Sequence, residues 1–423
     1  MDVPQDNKKT RQAVSAAVIG NVLEWYDFAV YAYVAVYIAK NFFPQGDPVT
    51  GLLATFLTYG LGFLARPLGG IILGRVGDTH GRKTALLITI ALMAAGTVLI
   101  GILPTYPAIG VAAPLLLVVA RLLQGFSAGG EWGSSTAYIV EWAPKGKRGF
   151  YGSFQQTSVV AGLLLGSGIA ALFATILTTE QMDSWGWRIP FLLGGILGPV
   201  GLWMRRTIDE TPAYKKAAAT PVAVTEDKTS PWLLAGRAFG FTIVWTVCFY
   251  VLLNYMPTWS RQYLKLTPAA ALWANTIGLF ALMVFIPVMG ILSDKWGRKP
   301  LLLACCVAYI VLPYPIFSYL LGGASYTSLI MVQILFAILI AMFSGPGPAA
   351  IAEIFPTRTR STWMTSGYAL AVAIFGGFAP FISVWLIDRF NSPLAHTFYL
   401  IAAAIVSTIV IATLRETAHE ELG

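Results

Sequence analysis

The stretch Gly74-Arg-Val-Gly-Asp78-Thr-His-Gly81-Arg82-Lys83 returns, 216 residues later, as Gly290-Ile-Leu-Ser-Asp294-Lys-Trp-Gly297-Arg298-Lys299. A second pattern repeats at nearly the same interval: Glu141, Pro144 and Arg148 have the spacing of Glu353, Pro356 and Arg360, offset by 212 residues. Two motifs recurring at half the chain length imply a duplicated architecture. The polar ten-residue stretches each separate long apolar runs, so they read as loops between membrane spans.

Composition agrees. Of 423 residues, 57% are apolar and 11% charged, and the mean hydropathy is +0.69. A soluble domain carries about 25% charged residues, so a soluble enzyme, a disordered chain and a fibrous protein are excluded. Twelve apolar segments are long enough to span a bilayer: 16–42, 52–75, 84–103, 113–140, 150–178, 188–205, 237–262, 268–292, 300–322, 326–352, 361–387 and 395–415, here spans 1 to 12. The expected fold is an all-α integral membrane protein of two pseudo-symmetric six-helix halves, residues 1–205 and 237–423, joined by a polar cytoplasmic loop at 206–236.

Charge placement sets the topology. With both termini in the cytoplasm, the inside segments hold 21 of the 28 Lys and Arg residues, and the outside segments hold Lys40, Arg188, Arg261, Lys265 and Arg389. That is a strong positive-inside bias, so the net +8 reflects orientation and anionic headgroups rather than nucleic acid. The polar first fifteen residues lack the apolar core of a secretory signal. The three cysteines, Cys248, Cys305 and Cys306, lie in apolar runs without metal or redox spacing. Gly77 to Thr84 distantly resembles a phosphate loop, but Arg82 breaks the Gly-Lys-Thr order and the stretch lies between membrane spans. His80 and His419 lie outside the spans and His396 at an edge. An enzyme, a metal site and an ATP engine are therefore not expected.

Charges within a bilayer need a partner or a function. At a rise of about 1.5 Å per residue, Glu24, Asp27, Arg66 and Glu131 all fall about 12–16 Å from the cytoplasmic ends of their spans. Glu24 and Asp27 share a helix face, and Arg121, Gln124, Glu131 and Ser135 form a polar stripe on span 4. Three acids against two bases leave one carboxylate short of a partner, and desolvation with a like-charged neighbour lets such a group hold a proton. Glu24, Asp27, Arg121 and Glu131 are the proton-coupling candidates; a static ion-pair network is the alternative. The second half offers neutral polar groups in its spans, among them Trp245, Tyr250, Asn254 and Tyr368.

The repeated loop and the twelve spans resemble the major facilitator superfamily. Asn21-Val-Leu-Glu24-Trp25-Tyr-Asp27-Phe28, Phe63-Leu-Ala-Arg66-Pro67-Leu-Gly-Gly70, Arg121-Leu-Leu-Gln124-Gly125-Phe-Ser-Ala-Gly129-Gly130-Glu131 and Trp185-Gly-Trp187-Arg188-Ile-Pro190-Phe191 resemble its metabolite:proton symporter family. The resemblance implies alternating-access uptake coupled to protons, with no cofactor besides the proton, by a functional monomer in the cell inner membrane. It assigns Arg121 to coupling, borders the central cavity with Gln155 and Gln156, and assigns gating to Gly74, Asp78, Arg82, Arg148, Asp294 and Arg298. The family carries organic acids such as citrate and 2-oxoglutarate, and zwitterions such as proline and betaine. An acid would be anchored by Arg66 or Arg121, with Tyr250 and Asn254 as hydrogen-bonding partners. A zwitterion would use the acids with Trp25 and Tyr31 through cation–π contact. Osmosensing proline/betaine members carry a long C-terminal coiled coil and this sequence ends at Gly423, so the expectation is a di- or tricarboxylate. A proton-coupled exporter is a weaker alternative, because span 5 lacks the Gly-Pro pair of that class.

Overall fold

The computed structural model describes residues 21–44, 46–80, 82–129, 132, 136, 139–140, 143–144, 146–206, 231–355 and 360–420. Among them no strand occurs, and helices lie at all twelve expected positions. Seven are long and apolar enough to cross a bilayer unaided, and two more crossings are bent pairs. The shorter apolar helices Leu87–Ile102 and Ala112–Ser127 and the helix Ile189–Arg206 occupy spans 3, 4 and 6.

Four of the irregularities fall at prolines. Span 9 bends by 44° between Arg298–Val311 and Pro313–Leu321, where Pro313 lacks the N–H that would continue the ladder. Span 7 runs as Pro231–Phe249, widens into a π-turn at Tyr250–Tyr255 and resumes at Met256–Tyr263. Pro257 cannot bond the carbonyl four residues back, and the wide turn absorbs the mismatch. Span 11 repeats the device, with a π-turn at Val372–Gly376 ahead of Pro380. Span 10 breaks between Ser344 and Gly347 at the Gly-Pro-Gly-Pro run. Span 1 bends by 63° between Asn21–Tyr33 and Ala35–Phe42.

Packing joins the two halves through an exchange-symmetric pair of contacts. Span 5 lies along span 8, and span 2 lies along span 11; adding six to one member of each pair gives the other pair. Ser167 and Thr276 share a hydrogen bond of 2.8 Å across the first seam, and Gly60 and Gly377 lie against Phe378 and Phe63 across the second. Within the first half, spans 2 and 4 meet backbone to backbone. A Cβ on Gly125 would collide with the Gly62 carbonyl, and one on Gly129 with that of Arg66. This approach draws the two membrane arginines into one layer.

Candidate functional site

Between the halves lies a small cavity. Trp25 of span 1, Gln156 and Val159 of span 5, Thr242, Trp245, Thr246, Phe249 and Tyr250 of span 7, and Tyr368 of span 11 line it. The wall is mostly aromatic. Trp132 stacks on Tyr368 with centroids 3.5 Å apart and planes at 5°, and meets Trp245 edge-on at 6.0 Å. The Trp245 indole N–H donates to Ser344 Oγ at 2.9 Å, which fixes the ring, and Gly347 at the break of span 10 lies against its face.

One ion pair borders this box. Arg66 Nη2 lies 4.0 Å from Glu24 Oε1, with both side chains about nine-tenths buried. The guanidinium rests on Trp25, Phe28 and Phe63 at 5.2, 4.3 and 4.4 Å. Arg66 and Glu24 are in electrostatic reach of Tyr250 and Tyr368, so the pair lies next to the cavity wall. Several wall groups have unspent hydrogen-bonding capacity among the described residues: the Tyr250 hydroxyl, Thr246 Oγ1 and the buried side-chain amide of neighbouring Gln155. Buried polar atoms left unpaired are unfavourable, and a solute placed here would satisfy them.

Behind the pair lies a second, sealed cluster. Arg121 is completely buried and is held over Phe28, Tyr31 and Tyr59 at 4.9, 4.4 and 4.9 Å. Its Nη1 donates to Gln124 Oε1 at 2.7 Å, and Gln124 Nε2 donates to Thr97 Oγ1 at 2.7 Å. Asp27 lies beside Thr97 and within electrostatic reach of Arg121, in room left by Gly194 of span 6. A chain of neutral groups thus separates a buried acid from a buried base.

The candidates therefore divide. Arg66, Glu24, Gln155, Gln156 and Tyr250 come together at the cavity, while Asp27 and Arg121 form the cluster behind. Tyr31 faces Arg121 rather than the cavity, and its hydroxyl donates to the Thr55 carbonyl at 3.1 Å. Asn254 is engaged across the halves, donating to the Tyr59 hydroxyl at 2.8 Å. Glu131 lies outside the described residues. Thr97, Trp132, Thr246 and Phe249 were not singled out by sequence as site residues; Trp132 adjoins Glu131 on span 4, which was the available signal.

At the end of the bundle that carries the repeated loop, Asp294 accepts the backbone N–H groups of Gly149 and Phe150 at 2.8 and 2.9 Å, so a second-half acid caps the start of a first-half helix. Arg298 binds Asp294 at 2.8 Å and Glu353 at 3.4 Å, and Arg148 reaches Glu353 at 3.5 Å. Glu416, beyond span 12, accepts the N–H groups of Arg298 and Lys299, each at 2.9 Å. Burial pushes the Glu416 carboxyl up, but the N–H groups of Arg298, Ala418, Lys299 and Thr417 together outweigh it and hold it below its ordinary value. The side chains of Gly74, Asp78 and Arg82 lie outside the described residues.

Residues 13–220 match the family model for sugar (and other) transporters, and residues 251–422 match that of the major facilitator superfamily. The proline/betaine transporter of Escherichia coli (strain K12) is 34% identical over 99% of this chain and 86% of its own length. The chain belongs to the major facilitator superfamily, within its metabolite:proton symporter family. The alpha-ketoglutarate permease of the same strain is also 34% identical, over 96% of this chain and 94% of its own. The xylose transporter of E. coli in a partially occluded inward-open conformation shares the fold, with a TM-score of 0.80 at 18% identity over 98% of this chain and all of that one. This major facilitator protein is thus a multi-pass membrane transporter.

Proposed function

We propose that this protein is a proton-coupled symporter that takes up a small zwitterionic solute of the proline and betaine type across the inner membrane, with both termini cytoplasmic. One observation carries the reading: the cavity is walled by aromatic rings and, among the described residues, is bordered by an acid facing a base, Glu24 with Arg66. A zwitterion fits between the members of that pair. Its carboxylate takes the Arg66 fork, and its cationic nitrogen lies against Glu24 and the faces of Trp25, Trp132 and Trp245. A di- or tricarboxylate would bring two or three negative charges to Arg66 and Glu24, while Arg121 is sealed behind three rings. The similarity to a proline/betaine transporter supports the same class.

Coupling belongs to the cluster behind. With Asp27 protonated, Arg121 stays in its ring cage and on Gln124; with Asp27 ionised, the guanidinium is drawn toward it, and the change in packing favours the opposite opening. Glu131, the further candidate from the sequence, lies outside the described residues. Arg148, Asp294 and Arg298 act as the cytoplasmic latch, which must break for that side to open.

Purified protein in liposomes under an inward proton gradient tests the reading. Betaine and proline are expected to accumulate, with collapse by a protonophore, while citrate and 2-oxoglutarate do not compete. Accumulation of an acid alone would return the substrate to the carboxylates. Its driving observation would be the permease similarity together with Arg66.

A further inference from the structure

We infer that Phe28 is the positioning residue through which solute at Arg66 and the proton at Asp27 sense one another; this rests on the proton-coupled uptake proposed above. The Phe28 ring lies under both membrane guanidiniums, 4.3 Å from Arg66 and 4.9 Å from Arg121. It is almost completely buried and is packed at 5.2 Å on Phe63 of span 2, so it is held in place from the helix that carries Arg66. It follows Asp27 directly in sequence and lies one helical turn beyond Glu24. The charged and titratable groups around it are Glu24 and Asp27 on its own span, Arg66 and Tyr59 on span 2, Arg121 on span 4, and Tyr31.

The consequence is electrostatic. Two like charges share one quadrupole in a water-poor site, so each guanidinium weakens the hold of the ring on the other. A carboxylate arriving at Arg66 neutralises one of them. The ring then holds Arg121 more firmly, Arg121 stays away from Asp27, and the acid keeps its proton. When the solute leaves, Arg121 is released toward Asp27 and the proton goes. Solute and proton therefore favour the same state of the cluster, and by linkage each strengthens the binding of the other. The direct repulsion between the two guanidiniums acts in the same sense, and the shared ring face adds to it a contact that depends on the electron density of Phe28.

The test replaces Phe28 with mono-, di- and trifluorinated phenylalanine, which nearly preserves shape while draining the ring face, alongside Phe28→Leu. Two quantities are read in proteoliposomes: gradient-driven accumulation of betaine, and betaine exchange without a gradient. We expect accumulation to fall stepwise with fluorination, by about tenfold at the end of the series, the scale of losing one desolvated cation–π contact. Exchange should fall much less. Phe28→Leu should behave like the last member, and Phe28→Tyr should restore most of the accumulation. A flat fluorination series, or accumulation and exchange falling in parallel, would overturn the role of the ring. Wild-type protein without gradient-driven uptake would instead contradict the transport reading itself.

Discussion

The two halves of this transporter descend from the same six-helix pattern yet divide the chemistry unequally. The first half contributes Glu24, Asp27, Arg66 and Arg121 at mid-membrane, each wrapped in rings or neutral polar groups. The second half contributes to the same cavity only uncharged side chains, Thr242, Trp245, Thr246, Phe249, Tyr250 and Tyr368. A buried charge is stabilised only by fixed partners, so the first half holds its groups by close glycine contacts between spans 2 and 4. The second half instead has π-turns and a broken span 10 around its ligand-facing groups. The first half thus supplies the charged groups of this layer and the second half the uncharged wall of the cavity.

Breaking the charged side should have the largest effect. Asp27→Asn is expected to abolish gradient-driven accumulation while leaving solute exchange measurable in the same liposomes. Removing the latch comes next. Asp294→Ala uncaps span 5 and deprives Arg298 of a partner, with an expected loss of about 3 kcal/mol, read as a lower unfolding temperature in detergent. On the aromatic side, Trp245→Ala should weaken betaine binding by about 2 kcal/mol, roughly 30-fold, in a titration that leaves proton dependence intact.

Smaller effects sharpen the comparison at its margins. The folded Glu416 carboxyl lies below its ordinary value, so its contribution is complete above the unfolded carboxylate value and is lost as pH falls through the folded one. Glu416→Gln should flatten that acid limb in a stability-against-pH measurement. Lys40→Ala breaks an exposed outer ion pair with Asp183 and should change stability by under about 1 kcal/mol.

Much of this was legible in the sequence. Apolar runs and the repeated loop located the spans because bilayer thickness imposes length, and equal depth placed Glu24 beside Arg66. Depth could not say which ring faces which guanidinium. Tyr31 has the chemistry of a solute contact, yet its bond to Thr55 and its place over Arg121 assign it to the cluster behind. Thr97 is a neutral residue in an apolar run and becomes visible only when spans 3 and 4 are packed. The stack of Trp132 on Tyr368 joins residues from opposite halves, which no local pattern encodes. Sequence offered Arg66 and Arg121 alike as anchors for an acid; the fold cages Arg121 among three rings and sets Arg66 beside Glu24.

The central claim is that one zwitterion and a proton move together. The direct measurement is proton entry into proteoliposomes loaded with a pH-sensitive dye, with no gradient imposed, on adding solute outside. The account predicts interior acidification with betaine or proline, absent in Asp27→Asn and absent with citrate. Betaine entering without acidification, or acidification driven by citrate alone, would contradict it.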